Sequence, residues 1–204
     1  MSLKFGLYDF FGRIIPGFFY LIAFVQIGAL LNFYSLNLQI LGQMQLSTLL
    51  ALGVIAYVLG TAFNPLSILW IRLFKPKDTL ETALQMFRKR NPDWQIKFQA
   101  MDWHVLLAYI RRNNFDMVEE IERPNASSLM MRNISLAFII LAVIQFVYFF
   151  FVLGFIYLAL AIIFVVVSVQ LGKEAKFFQV MFFSLIFETI ISYQINLDQL
   201  LTKS

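Results

Sequence analysis

Few residues in this chain are of a type that does chemistry. Its 204 residues include one histidine and no cysteine. The histidine, His104, follows Asp102 and Trp103 in the run MDWHVLLAYIRR. A metal centre needs several imidazole, thiolate or carboxylate ligands converging on one point, and neither a second imidazole nor any thiolate exists here. A general base needs a nucleophile in reach and a carboxylate to orient it, and the sequence around His104 identifies neither. His104 therefore reads as a helix-surface or interhelical hydrogen-bonding residue. The glycine-rich phosphate cradle GxxxxGK, the dinucleotide turn GxGxxG, HExxH and GxSxG are also absent. The expectation is a protein that is not an enzyme and carries no cofactor and no metal.

Charge offers a second kind of chemistry. Arg88-Lys89-Arg90 and Arg111-Arg112 each close a predicted helix, where cations meet the negative end of the helix dipole. The segment 75–132 holds ten basic and eight acidic residues. That near balance lacks the strong positive field that a DNA or RNA ligand requires, so no direct nucleic-acid binding is expected. Mixed charge suits a protein partner instead. The candidate docking residues are Arg111 and Arg112, together with Glu119 and Glu120 of the next predicted helix.

The elements that carry these residues follow from composition. The chain is 60% hydrophobic and only 14% charged, with 24 phenylalanines, far from the balance of a soluble domain. Four segments are apolar enough to span a bilayer: Ile14–Phe33, Leu49–Phe74, Ile134–Leu153 and Phe155–Leu171. The first lacks a small-residue cleavage site and reads as a retained helix rather than a leader. No Lys or Arg occurs in 34–47 or around Gly154. The 16 basic residues lie before the first span, from the end of the second to the start of the third, or after the fourth. The positive-inside rule then puts both termini and the middle segment in the cytoplasm of a cell with an inner membrane. The absence of cysteine fits a reducing compartment.

The expected fold is all-α: four transmembrane helices with a small helical cytoplasmic domain between spans two and three. The domains are 1–74, a lead-in helix and first hairpin; 75–132, the cytoplasmic domain; 133–171, the second hairpin; and 172–204, a C-terminal helix. In 75–132, Asp78 stands as N-cap three residues before Glu81, and Leu80, Leu84 and Phe87 share a face before Asn91-Pro92. Trp103, Leu106, Leu107 and Ile110 form an i, i+3, i+4, i+7 stripe over 101–112. A third helix over 115–123 is expected to stop near Pro124. The apolar run 177–193 contains Glu188, which disfavours a fifth span, and reads as a cytoplasmic or interfacial helix docked on the 75–132 domain.

No ionisable residue interrupts the four spans up to Trp70 in the second, which argues against a transporter. The second span instead presents Gly53, Ala56 and Gly60, small residues at a spacing that lets helices approach closely, and Asn64-Pro65 marks a possible kink. Packing within one chain and packing between chains are both open for that face. Four spans make a thin bundle, so a homo-oligomer, a tetramer among the options, is expected, embedded in membrane lipid. Ahead of the first span, Asp9, Gly12, Arg13, Pro16 and Gly17 form a lead-in in an aromatic setting.

The DxxGxxIPG lead-in (Asp9, Gly12, Ile15, Pro16, Gly17), the length and the order of two spans, helical insert and two spans resemble the small multi-pass proteins of bacterial anti-phage defence, most of all the membrane subunits of the Kiwa system. The resemblance implies an inner-membrane oligomer that senses phage attack and works with a cytosolic DNA-binding partner. A pore-forming or membrane-depolarising effector of abortive infection is the alternative, although no span carries a continuous polar stripe.

Overall fold

A computed structural model describes residues 3–31, 45–92, 103–113 and 115–192. These form seven α-helices and, among the described residues, no strand: α1 Leu3–Leu30, α2 Leu46–Ala62, α3 Asn64–Ile71, α4 Thr79–Arg90, α5 Trp103–Asn113, α6 Phe115–Val152 and α7 Phe155–Ser192. Three of them, α1, α6 and α7, contain stretches long and apolar enough to cross a membrane. The pair α2 and α3 passes the same test jointly and is bent by 45° at Phe63. Pro65 sits at the start of α3, where its missing N–H costs nothing, so the Asn64-Pro65 signal marks a real break.

The chain forms two compact units. The first comprises Met1–Phe74 with Leu129–Ala175, and the second Lys75–Ser128 with Lys176–Ser204. Helices α6 and α7 contribute to both.

Two sequence expectations about helix ends are corrected. The helix beginning at Phe115 does not stop at Pro124: α6 runs through it for 38 residues. Proline inside a helix costs about 3 kcal/mol, but α6 buries Val118 and Ile121 before it and Ala137 and Leu141 after it. Close packing of these side chains on both sides of the proline offsets the local penalty. Likewise the fourth span and the C-terminal helix are one element, because α7 continues through Gly172. A helical glycine costs only about 1 kcal/mol. Here it also makes room, since a Cβ on Gly172 would lie 2.6 Å from the ring of Phe74.

In the first unit, α1 and α2 meet backbone to backbone. A Cβ on Gly17 would lie 1.7 Å from the carbonyl oxygen of Ala56, and one on Gly60 would lie 2.0 Å from that of Arg13. The pairs 17 with 56 and 13 with 60 step four residues along each helix in opposite directions, so the two run antiparallel. Polar side chains tie the other helices together. Trp70 donates its indole N–H to the Ser135 hydroxyl at 2.8 Å. The hydroxyls of Ser135 and Ser168 each donate to the other's backbone carbonyl at 2.7 Å. The Gln145 amide donates to Gln26 at 2.8 Å, and the Tyr148 hydroxyl to the Gln26 carbonyl at 3.0 Å.

The second unit is built differently. Ala83, Leu84 and Phe87 of α4, Leu106, Leu107 and Ile110 of α5, Val118 and Ile121 of α6, and Val180, Phe182, Ile186 and Phe187 of α7 form one buried cluster. The stripes on α4 and α5 supply its faces at helical spacing. Asp78 caps α4 by accepting from the Glu81 N–H at 3.0 Å.

Candidate functional site

Helix α5 presents its apolar stripe to the core of the second unit, which leaves His104, Ala108, Arg111 and Arg112 exposed on the other side. The next helix brings Glu122 against Arg111 eleven positions later in the chain. An Arg111 Nη2 donates to Glu122 Oε1 at 2.6 Å, and Asn125 Nδ2 donates to Glu122 Oε2 at 3.0 Å. Glu122's side chain is 10% exposed and Arg111's 52%. A carboxylate so enclosed is stable only with partners, and it has two. Its effect is to hold one edge of the guanidinium and one end of the Asn125 amide in fixed positions.

These residues line a cavity of about 500 Å³. Its apolar part comes from Trp103 and Leu107 of α5 with Phe182 and Phe183 of α7. Trp103 meets Phe182 and Phe183 edge to face, with ring centroids 5.8 and 5.3 Å apart, the geometry the ring quadrupoles favour. His104 lies against the Trp103 ring, centroids 3.5 Å apart. The polar part comes from His104, Arg111, Glu122, Asn125 and Gln179.

Of the four docking residues expected from sequence, the structure ties Arg111 to Glu122 and leaves Arg112 and Glu120 exposed, with Glu119 half-buried. Arg88 and Lys89 are exposed on α4, and Arg90 pairs with Glu188 of α7 at 2.6 Å. The convergence of Glu122, Asn125 and Gln179 was not legible in the sequence. The i, i+3 spacing of Glu122 and Asn125 was a signal for their mutual bond, but nothing local brings Gln179 to them.

In the first unit, Ala56 and Gly60 are buried against α1 of the same chain, whereas a Cβ on Gly53 would meet nothing within 4 Å. Of the lead-in, Gly12, Pro16 and Gly17 are buried. Arg13 donates to the Tyr57 hydroxyl at 3.1 Å and lies 5.7 Å from its ring centroid. Asp9 belongs to α1, but its side chain lies outside the described part. Among the described residues, no three His, Asp or Glu side chains cluster as metal ligands.

Together these features define an all-helical, multi-pass membrane protein with a second helical unit. No family model matches the chain, and no curated protein or solved structure is significantly similar to it.

Proposed function

We propose that this chain is an inner-membrane sensor or scaffold of anti-phage defence that assembles as an oligomer and recruits a cytosolic DNA-binding protein through its second helical unit. The observation that carries the reading is the contrast in where polar groups go. In the membrane unit Trp70, Ser135, Ser168, Gln26 and Gln145 are engaged in bonds between helices, which supports a structural anchor more than a conduction path. In the second unit charges of both signs, Arg88, Lys89, Arg112 and Glu120, are exposed around a closed apolar core. Such a surface matches a protein partner of complementary charge. The resemblance to Kiwa membrane subunits supplies phage attack as the trigger and a DNA-binding protein as the partner.

In this reading α2 and α3 count as one bent span, which makes four spans and puts both termini on the cytoplasmic side where the basic residues gather. Because Ala56 and Gly60 are covered by α1, subunits meet through other surfaces, and of the three small residues Gly53, Ala56 and Gly60 it is Gly53 that stays open.

The test is co-purification of the product of the adjacent gene. Arg112→Glu combined with Glu120→Lys is expected to abolish recovery of the partner while leaving oligomer size unchanged, and raised salt should mimic the loss. Arg111 is avoided because its reversal would strand the enclosed Glu122 carboxylate. Undiminished recovery removes this surface as the docking site. Rapid depolarisation of cells expressing the chain alone would favour the pore-forming effector instead.

A further inference from the structure

We infer that the cavity of the second unit is a binding site for a small molecule in which a flat heteroaromatic ring carries an anionic group, a nucleoside monophosphate being the simplest case. This does not depend on the partner-recruitment reading.

A volume of about 500 Å³ lies within the roughly 300–1,000 Å³ typical of small-molecule sites, which are mostly apolar with a few fixed polar groups. The apolar wall is aromatic: Trp103 and Phe183 are partly exposed, and the buried Phe182 packs against both and holds them in place. A planar ring is the shape that stacks on such a wall, and stacking is tolerant of which base supplies it.

The polar groups select the rest of the ligand. Glu122 accepts from Arg111 and from Asn125, so it serves to position them. Arg111 gives one N–H to that bond and has five in a rigid fork. The remaining edge suits the paired oxygens of a phosphate or carboxylate, and it is fixed before the ligand arrives. His104 adds a second donor at the same mouth. The Gln179 amide and the Asn125 carbonyl oxygen supply a donor and acceptors for the edge of a heteroaromatic ring. A bare inorganic anion would leave the aromatic wall unused, and a plain hydrocarbon would leave Arg111 unused.

The experiment is calorimetric titration of the full-length protein in lipid nanodiscs with the four common nucleoside monophosphates, the corresponding nucleosides, inorganic phosphate, and nicotinate as a heteroaromatic carboxylate. Saturable binding of at least one monophosphate is expected, tighter than its nucleoside and than phosphate alone. Binding of nicotinate in preference to the nucleotides would uphold the ring-plus-anion chemistry and identify the carboxylate as its source. Arg111→Lys keeps the charge beside Glu122 but loses the fork, and should weaken the anionic ligand about tenfold, the loss of one charge-assisted bond, while leaving the nucleoside unchanged. Gln179→Leu, which disturbs no hydrogen bond among the described residues, should weaken nucleotide and nucleoside alike, and it decides the matter if Arg111→Lys does not fold. Absence of saturable binding by every ring-plus-anion probe at millimolar concentration overturns the inference. So does an affinity unchanged by both substitutions, or phosphate binding as tightly as the nucleotides.

Discussion

Around Gly60 and Gly17 two helix backbones touch, whereas around Phe87 and Phe187 four helices are held apart by large side chains that interlock. The difference follows the solvent. In a bilayer the lipid tails are as apolar as Leu or Phe, so burying such side chains gains little, and helices associate through close packing and bonds between polar groups. With the second unit in water, as the proposed function has it, removal of apolar surface from water supplies the drive there, at about 25 cal/mol per Å². The charged residues follow suit. The second unit carries exposed Arg88, Lys89, Arg112 and Glu120 at its rim, while α1, α6 and α7 present Phe24, Phe146, Phe150, Ile162 and Val166 outward.

The comparison breaks most readily at the backbone contact. Gly60→Leu drives a side chain into the Arg13 carbonyl, which lies 2.0 Å from the Cβ position and has no flexible end to yield. Overpacking typically costs about 1–3 kcal/mol and more where backbone must move. Loss of the folded membrane unit is therefore expected, read as a collapsed unfolding midpoint in an SDS titration of micelle-embedded protein. Gly53→Leu, with open space around it, should unfold like the wild type. Equal behaviour of the two variants would refute the close α1–α2 contact.

The second unit should fail in the opposite way, by creation of space. Phe87 is 2% exposed in the centre of its cluster, and Phe87→Ala is expected to cost about 3–5 kcal/mol. Hydrogen exchange should show faster opening of α4 and α5 with α1 and α2 unaffected. Exchange that rises equally in both regions would mean the two units do not fold as distinct bodies.

The smallest effect should come from the polar clamps. Ser135→Ala removes the acceptor for Trp70 and the donor to the Ser168 carbonyl. Interhelical bonds in membranes average about 0.6 kcal/mol and reach about 1.7, so a shift of that order in the SDS midpoint is expected. A loss as large as that of Gly60→Leu would make the hydroxyls, not the backbone contact, the main tie in the membrane unit.

Much of the secondary structure was legible because its signals are local. The cap of Asp78 on Glu81 and the stripe Trp103, Leu106, Leu107, Ile110 depend on residues within two turns of each other. The break at Asn64-Pro65 likewise follows from a missing N–H. The continuity of α6 across Pro124 and of α7 across Gly172 was not legible. Each local penalty is overridden by packing on both sides, which only the assembled helices supply.

The sequence by itself determined the all-helical class, the apolar stretches that can cross a membrane, and the faces that must be buried, since hydropathy and periodicity act through near neighbours. Tertiary structure alone decided that Ala56 and Gly60 are spent on α1 of the same chain. It alone brought Gln179, from the far end of the chain, to the mouth held by Arg111, Glu122 and Asn125. Such meetings depend on how helices far apart in sequence cross, and no residue encodes that crossing in its neighbours.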